Sequence, residues 1–241
     1  MARLQPFGEE IWLADGPQAA VAGFAYPTRM AVIRLGGRRL FVWSPVALDA
    51  ALRVEVEALG DVRWLAAPNS LHHLFLAEWK AAYPAAALWA APGLRGKRPD
   101  LAFDGDLGET APPDWADEID QAPVHGNLIT TEVVFFHRRS RTVLFTDLIQ
   151  HFPGGWFRGW RALVAGLDLM TAAEPQVPRK FRTGFVRRRA ARDSLARILD
   201  WPAEKVVMAH GAPVQADGAA FLRSAFRWLG AQPAGRAADG A

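Results

Sequence analysis
The sequence predicts an α/β fold. Three observations carry this: β-branched and aromatic runs bounded by Gly and Pro, a strand–helix–strand–helix–strand alternation from Arg38 to Ala90, and material for a large core. Of 241 residues, 51% are hydrophobic, including ten Trp and fourteen Phe, which is far from the composition of a disordered chain.

The elements follow in order. Glu10 to Ala14, Ala20 to Tyr26, Met30 to Leu35 and Arg38 to Trp43 read as short strands, separated by Asp15-Gly16, Pro27 and Gly36-Gly37. The last of these is a hairpin signal. Val46 to Leu59 has apolar positions at helical spacing, with Ser44 as the expected cap, Pro45 in the first turn and Gly60 at the end. Val62 to Ala66 is a strand, a helix then runs to about Tyr83, and Ala87 to Ala90 is the next strand, so parallel pairing is expected here. Gly93 to Pro113 reads as an irregular excursion. Glu118 to Val124, Leu128 to His137 and Arg141 to Ile149 follow as strands, the last two as a buried antiparallel pair turning at Arg138 to Ser140. A segment with Trp156, Trp160, Leu163 and Leu167 should pack as a helix over the sheet. Arg187 to Leu199 is a helix, Lys205 to Met208 a strand, and Asp217 to Leu229 the closing helix. With no linker inside it, residues 1–231 read as a single domain, and Gln232 to Ala241 as a flexible tail.

Composition narrows the chemistry. No cysteine is present, which excludes disulfides, thiolate zinc sites and cysteine nucleophiles. No apolar run is long enough to span a bilayer, and MARLQPFGEE has no signal-peptide pattern, so a soluble, cytoplasmic protein is expected. The net charge of +3 is uneven. Of 28 basic residues, seven lie in Arg179 to Arg192, which holds no acidic residue, leaving 21 basic against 25 acidic elsewhere. That block would suit an anionic small-molecule substrate; as a solvated arginine face it needs no partner, and nucleic acid is not expected. There is no GxSxG elbow and no GxGxxG or GxxxxGK[ST] phosphate loop. Asp100, Asp104, Asp106 and Glu109 lack the spacing of a calcium loop.

The chemistry-bearing residues fall at strand ends. In Ala66 to Trp79, AAPNSLHHLFLAEW, the strand breaks at Pro68-Asn69 and restarts with His72 and His73, which should occupy the first turn of the next helix. His125 precedes a strand, Asp147 lies at the end of VLFTD, and His210 follows VVMA. Two adjacent histidines at such a junction favour metal binding, because neutral imidazole is a common metal ligand.

The order of these elements resembles the metallo-β-lactamase superfamily, with its HxHxDH loop, a later His, an Asp after an apolar strand and a final His. PNSLHHLFLAEW followed by EVVFFHRRSRTVLFTDL looks like an uncharacterised domain-of-unknown-function branch of it, with a degenerate HxHxDH motif. The resemblance implies a four-layer αββα sandwich with two mixed sheets. With His73 in the motif's final position, its first and third positions are Pro68 and Ser70, so the first metal site loses two ligands. The resemblance then implies one divalent metal ion, zinc foremost with iron or manganese as alternatives. Its ligands would come from His72, His73, His125, Asp147 and His210, with His72 and Asp147 as the catalytic pair. Glu132 and His137 are further polar candidates. The function implied is metal-dependent hydrolysis of an ester, thioester, lactone or phosphoester; the competing class is a non-catalytic binding protein on the same fold.

Overall fold
The computed structural model describes residues 3–235. The first half of the chain builds one sheet from β1 (Gln5–Gly8), β2 (Ile11–Val21), β3 (Phe24–Leu35), β4 (Arg39–Trp43), β5 (Asp61–Ala67), β6 (Ala87–Ala90) and β7 (Gly105–Asp106), which lie side by side in chain order. β1 to β4 pair antiparallel through tight turns. From β4 to β7 the pairing is parallel, because α1 (Ala50–Leu59), α2 (Leu76–Ala82) and α3 (Leu94–Lys97) carry the chain back between strands. The second half forms a four-stranded sheet of β8 (Ile119–Val124), β9 (Glu132–His137), β10 (Thr142–Gln150) and β11 (Lys205–His210), in the order β11-β10-β9-β8. β10 pairs parallel with β11 and antiparallel with β9, so both sheets are mixed. Around it stand α4 (Trp160–Leu167), α5 (Arg179–Gly184), α6 (Arg188–Leu199) and α7 (Gly218–Phe226).

Strand alternation divides the core into layers. Phe41 and Trp43 of β4 meet Phe135 of β9, Leu144 of β10 and Val207 of β11 between the sheets. Leu40 and Val42 point the other way, towards Leu52, Val56 and Trp79 of α1 and α2. On the outer face of the second sheet, Val143, Phe145 and Met208 pack on Leu195 of α6 and Phe226 of α7. Helices therefore cover the outer face of each sheet, as the expected αββα layering requires.

Several local expectations change. Asp15-Gly16 and Pro27 do not separate strands; they lie within β2 and β3, where the register slips between Gly16 and Ala19. The turn is at Ala22-Gly23, both in the left-handed region at φ 48° and 79°. A Cβ on Gly16 would lie 2.5 Å from Val46 Cβ, so close packing requires glycine there. Asp49, not Ser44, caps α1 by accepting from the Leu52 amide at 2.8 Å.

His72 and His73 precede α2 instead of opening it, because Asn69 Oδ1 accepts from the amides of Leu71 and His72 at 2.8 and 3.0 Å and sets a turn of its own. α4 leaves its apolar face open. Trp160, Leu163 and Leu167 are exposed while Phe152, Phe157 and Met170 from the flanking segments fill the space around its one buried residue, Ala165. Of the expected tail, Gln232 to Gly235 carries no helix or strand and residues 236–241 lie outside the described residues. No helix among the described residues is long and apolar enough to cross a membrane.

Candidate metal centre
Three segments converge at one end of the sheets. The loop after β5 carries His72, and Pro68 fixes it by accepting from the Val133 amide of β9 at 2.7 Å. Asp147 lies in β10 where its register with β11 breaks between Phe145 and Gln150. That break leaves amides without ladder partners, and the fully buried Glu132 takes them. Its Oε1 accepts from Thr146 at 2.7 Å, and its Oε2 from Asp147 and Leu148 at 2.8 and 3.0 Å. Burial, with the neighbouring Asp147 charge, pushes the Glu132 carboxyl up to about 7 against these hydrogen bonds. His210 ends β11, whose terminus is clamped to β3 by the Arg29 guanidinium on the carbonyls of Met208 and Gly211.

The ligand atoms are close together. His72 Nε2 lies 3.3 Å from Asp147 Oδ2, and His210 Nε2 lies 3.3 Å from Asp147 Oδ1. The three ligand atoms all lie within 4.8 Å of one another, and both Asp147 and His210 are buried. Asp147 also accepts from Asn69 Nδ2 on Oδ2 at 2.7 Å and from Gln150 Nε2 on Oδ1 at 3.4 Å. Burial pushes its carboxyl up, but the adjacent His72 and His210 overcome this and hold it well below the usual carboxylate range.

The outer nitrogens of both rings are anchored. His72 Nδ1 is bonded to Ser44 Oγ at 2.8 Å, and His210 Nδ1 donates to the Pro27 carbonyl at 2.7 Å. Ser44 is held in the left-handed region at φ 50°, a backbone strain of the kind concentrated at functional sites. A carbonyl only accepts, so His210 carries a proton on Nδ1, and a neutral ring would turn a lone pair from Nε2 towards the Asp147 carboxylate. Two acceptors then face each other at 3.3 Å, an arrangement that requires a cation or a second ring proton between them. Two imidazole nitrogens and a carboxylate, all within 4.8 Å of one another, form a mixed nitrogen and oxygen donor set of the kind that binds zinc.

The other expected residues lie elsewhere. Arg98 donates to His73 Nδ1 at 3.2 Å and to the His73 carbonyl at 3.1 Å; burial, then Lys97 and Arg98, holds that imidazole below its usual range. His125 Nε2 meets Glu109 Oε1 at 2.6 Å, and Glu109 also pairs with Arg197. Both histidines stand outside the three-residue group. His137 is at the opposite end of β9 from Glu132, bonded to Ser140 Oγ at 2.7 Å. Asp100, Asp104 and Asp106 pair with Arg98, Lys80 and Arg95. In the basic segment, Lys180 pairs with Asp168, while Arg179 and Arg182 donate to the carbonyls of Leu167 and Val177. Sequence reasoning missed the roles of Asn69, Ser44 and Pro27. The one signal available was Asn69 itself, an Asx residue directly after a strand-breaking proline.

The model of the family described as Domain of unknown function (DUF4336) matches residues 8–157, more than half of the chain. The protein belongs to this family. No curated protein matches it in sequence. Among solved structures, this DUF4336 chain is similar to the DIM-1 metallo-β-lactamase exposed to ceftazidime, at 13% identity and a TM-score of 0.63, covering 94% of this chain and 97% of that one. It is similar to the metallo-β-lactamase FIM-1 from Pseudomonas aeruginosa in its mono-zinc form, at 11% identity and a TM-score of 0.61, covering 96% and 97%. The Flv1 flavodiiron core from Synechocystis matches at 11% identity and a TM-score of 0.62, covering 95% of this chain and 61% of that one. These likenesses show the fold: a metallo-β-lactamase-like α/β architecture with two mixed sheets flanked by helices. In it a His-Asp-His group could hold one metal ion.

Proposed function
We propose that this protein is a metal-dependent hydrolase with a mononuclear site, built within a single domain over residues 1–231. The observation that carries the reading is the Asp147 carboxylate facing Nε2 of both His72 and His210 at 3.3 Å, with His210 Nδ1 committed to the Pro27 carbonyl. His72, Asp147 and His210 would hold one divalent ion, zinc foremost, with iron or manganese also compatible with a mixed nitrogen and oxygen set. Held by these three residues, such an ion would supply a bound water acidified towards neutrality as the nucleophile. Ser44 and Pro27 fix the two imidazole rings, and Asn69 holds the carboxylate in the orientation both rings face. His72 and Asp147 are the residues on which turnover depends. His73 and His125, also expected as ligands, take no part in this ligand set: His73 bonds Arg98 and His125 bonds Glu109. Esters, thioesters, lactones and phosphoesters all suit attack by such a nucleophile.

One observation favours a second reading, a non-catalytic binding protein. Asp147 already accepts from Asn69 and Gln150, so a second proton on His210 would satisfy the site without metal. Elemental analysis of protein purified without added metal or chelator, beside Asp147→Ala, separates the two. About one zinc, iron or manganese per chain, lost in the variant, supports the hydrolase. No metal in either, after soaking in zinc or manganese, leaves the binding protein.

A further inference from the structure
A pocket of about 540 Å³ is lined by His72, Asp147 and His210. The β2–β3 hairpin contributes Val21, Phe24 and Tyr26 to its wall, the Asn69 loop contributes Leu71 and Leu74, and α4 contributes Val164. The apolar surface does not stop at the mouth. Val21, Leu74 and Val164 are 59%, 56% and 41% exposed, and α4 continues it outward through Trp160, Leu163 and Leu167, which share the face of Val164.

The polar groups are arranged differently. Both lysines that line the pocket are engaged: Lys180 Nζ pairs with Asp168 Oδ2 at 3.1 Å and bonds the Tyr26 hydroxyl at 3.1 Å, while Lys97 Nζ donates to the Ser70 carbonyl at 2.8 Å. Neither lysine therefore offers a free amine to a ligand, and the apolar residues of the lining favour alkyl contact. A polar body laid along that wall would lose its water without replacement. An alkyl chain gains from every methylene it buries.

We infer that the substrate is an acyl ester whose alkyl chain lies along the wall from Phe24 and Leu71 to Val21, Leu74 and Val164, with its carbonyl carbon beside His72, Asp147 and His210. This rests on the hydrolase reading. In the reaction the oxygen of water bonds to the acyl carbon and the acyl carbon–oxygen bond to the alcohol breaks. One water proton goes to the departing alkoxide, and the other is released as the acid ionises to a carboxylate.

The test uses two series on the full, zinc-loaded chain, all compounds kept below their aggregation threshold. The first is hydrolysis of p-nitrophenyl acetate, butanoate, hexanoate and octanoate. The second is calorimetric binding of the matching straight-chain alkanoates, which needs no turnover. Both should strengthen about fourfold per added methylene, the equivalent of about 0.8 kcal/mol, until the wall is covered. Val21→Asp and Val164→Asp, at exposed positions that the fold tolerates, should flatten both series without changing the metal content. Hydrolysis with no chain-length dependence in either series overturns the acyl pocket and leaves the hydrolase standing. Binding that tightens with length, with no ester hydrolysed, overturns the acyl ester as substrate and keeps the pocket as an acyl-chain site, while the hydrolase reading stands or falls on the metal analysis. Flat binding with no hydrolysis overturns both the acyl pocket and the ester substrate.

Discussion

Asn69 reaches across from the loop after β5 and donates its side-chain amide to Asp147 Oδ2 on β10 at 2.7 Å. The same amide nitrogen donates to Thr146 Oγ1 at 2.9 Å, and its oxygen accepts from the amides of Leu71 and His72. One fully buried side chain thus shapes the turn that presents His72 and orients the carboxylate His72 faces. It couples the two sheets at the point where the candidate ligands meet.

Replacing Asn69 with Ala should therefore act on both fold and metal. Leaving buried donors and acceptors without partners costs about 2–4 kcal/mol of unfolding free energy. Loss of the orienting bond should weaken zinc binding about tenfold to a hundredfold. Urea denaturation and zinc competition titration measure the two effects. Wild-type values in both would remove the bridging role.

The two adjacent histidines should separate cleanly. His72→Ala, His210→Ala and Asp147→Ala are each expected to abolish stoichiometric metal binding, because each removes one of the three proposed ligands. His73→Ala, which loses its contact with Arg98, should retain about one ion per chain. Metal analysis of the four purified variants checks this, and loss of the ion in His73→Ala would contradict the ligand set.

A pH dependence follows from His137. Burial holds its imidazole down to about 4 against an ordinary value of 6.5, and its Nε2 has no partner. Since the folded value lies below the unfolded one, the unfolded chain binds the extra proton as pH falls. The contribution is fully present above pH 6.5 and is lost between there and pH 4, by roughly 3 kcal/mol. His137→Phe should flatten the difference in stability between pH 7 and pH 4 by about that amount in urea denaturation. An unchanged slope would show that His137 does not titrate this way.

Glu132 offers a test of the bulge in β10. Glu132→Gln keeps the size but turns an NH2 group towards backbone amides that all donate, so one oxygen acceptor is lost. The expected cost is about 1–3 kcal/mol. Thermal unfolding measures it, and amide hydrogen exchange at Thr146 to Leu148 should speed up in the same variant.

The strands of the second sheet were legible because β-branched and aromatic runs such as VVFF and TVLF fit only a buried strand, and the parallel run from β4 to β6 because short apolar strands alternate with helical spacing. His72, Asp147 and His210 were visible as polar residues at strand ends, and they meet. Which of His72 and His73 joins Asp147 was not legible. Adjacent side chains at the end of a strand differ only in direction, and that direction is set by Asn69, 77 or 78 positions away in sequence from the groups it binds on β10.

By itself the sequence determined the alternation of elements, the absence of any thiolate ligand, and the strand-end positions of the polar residues. These follow from local periodicity and composition, which act over a few residues. Tertiary structure decided the rest: the ring orientations set by Ser44 and Pro27, the turning of His73 to Arg98 and of His125 to Glu109, and the apolar face α4 leaves open at the pocket mouth. Each depends on a partner tens of residues away or on which neighbour fills a space first, and neither is encoded in the spacing of a single segment.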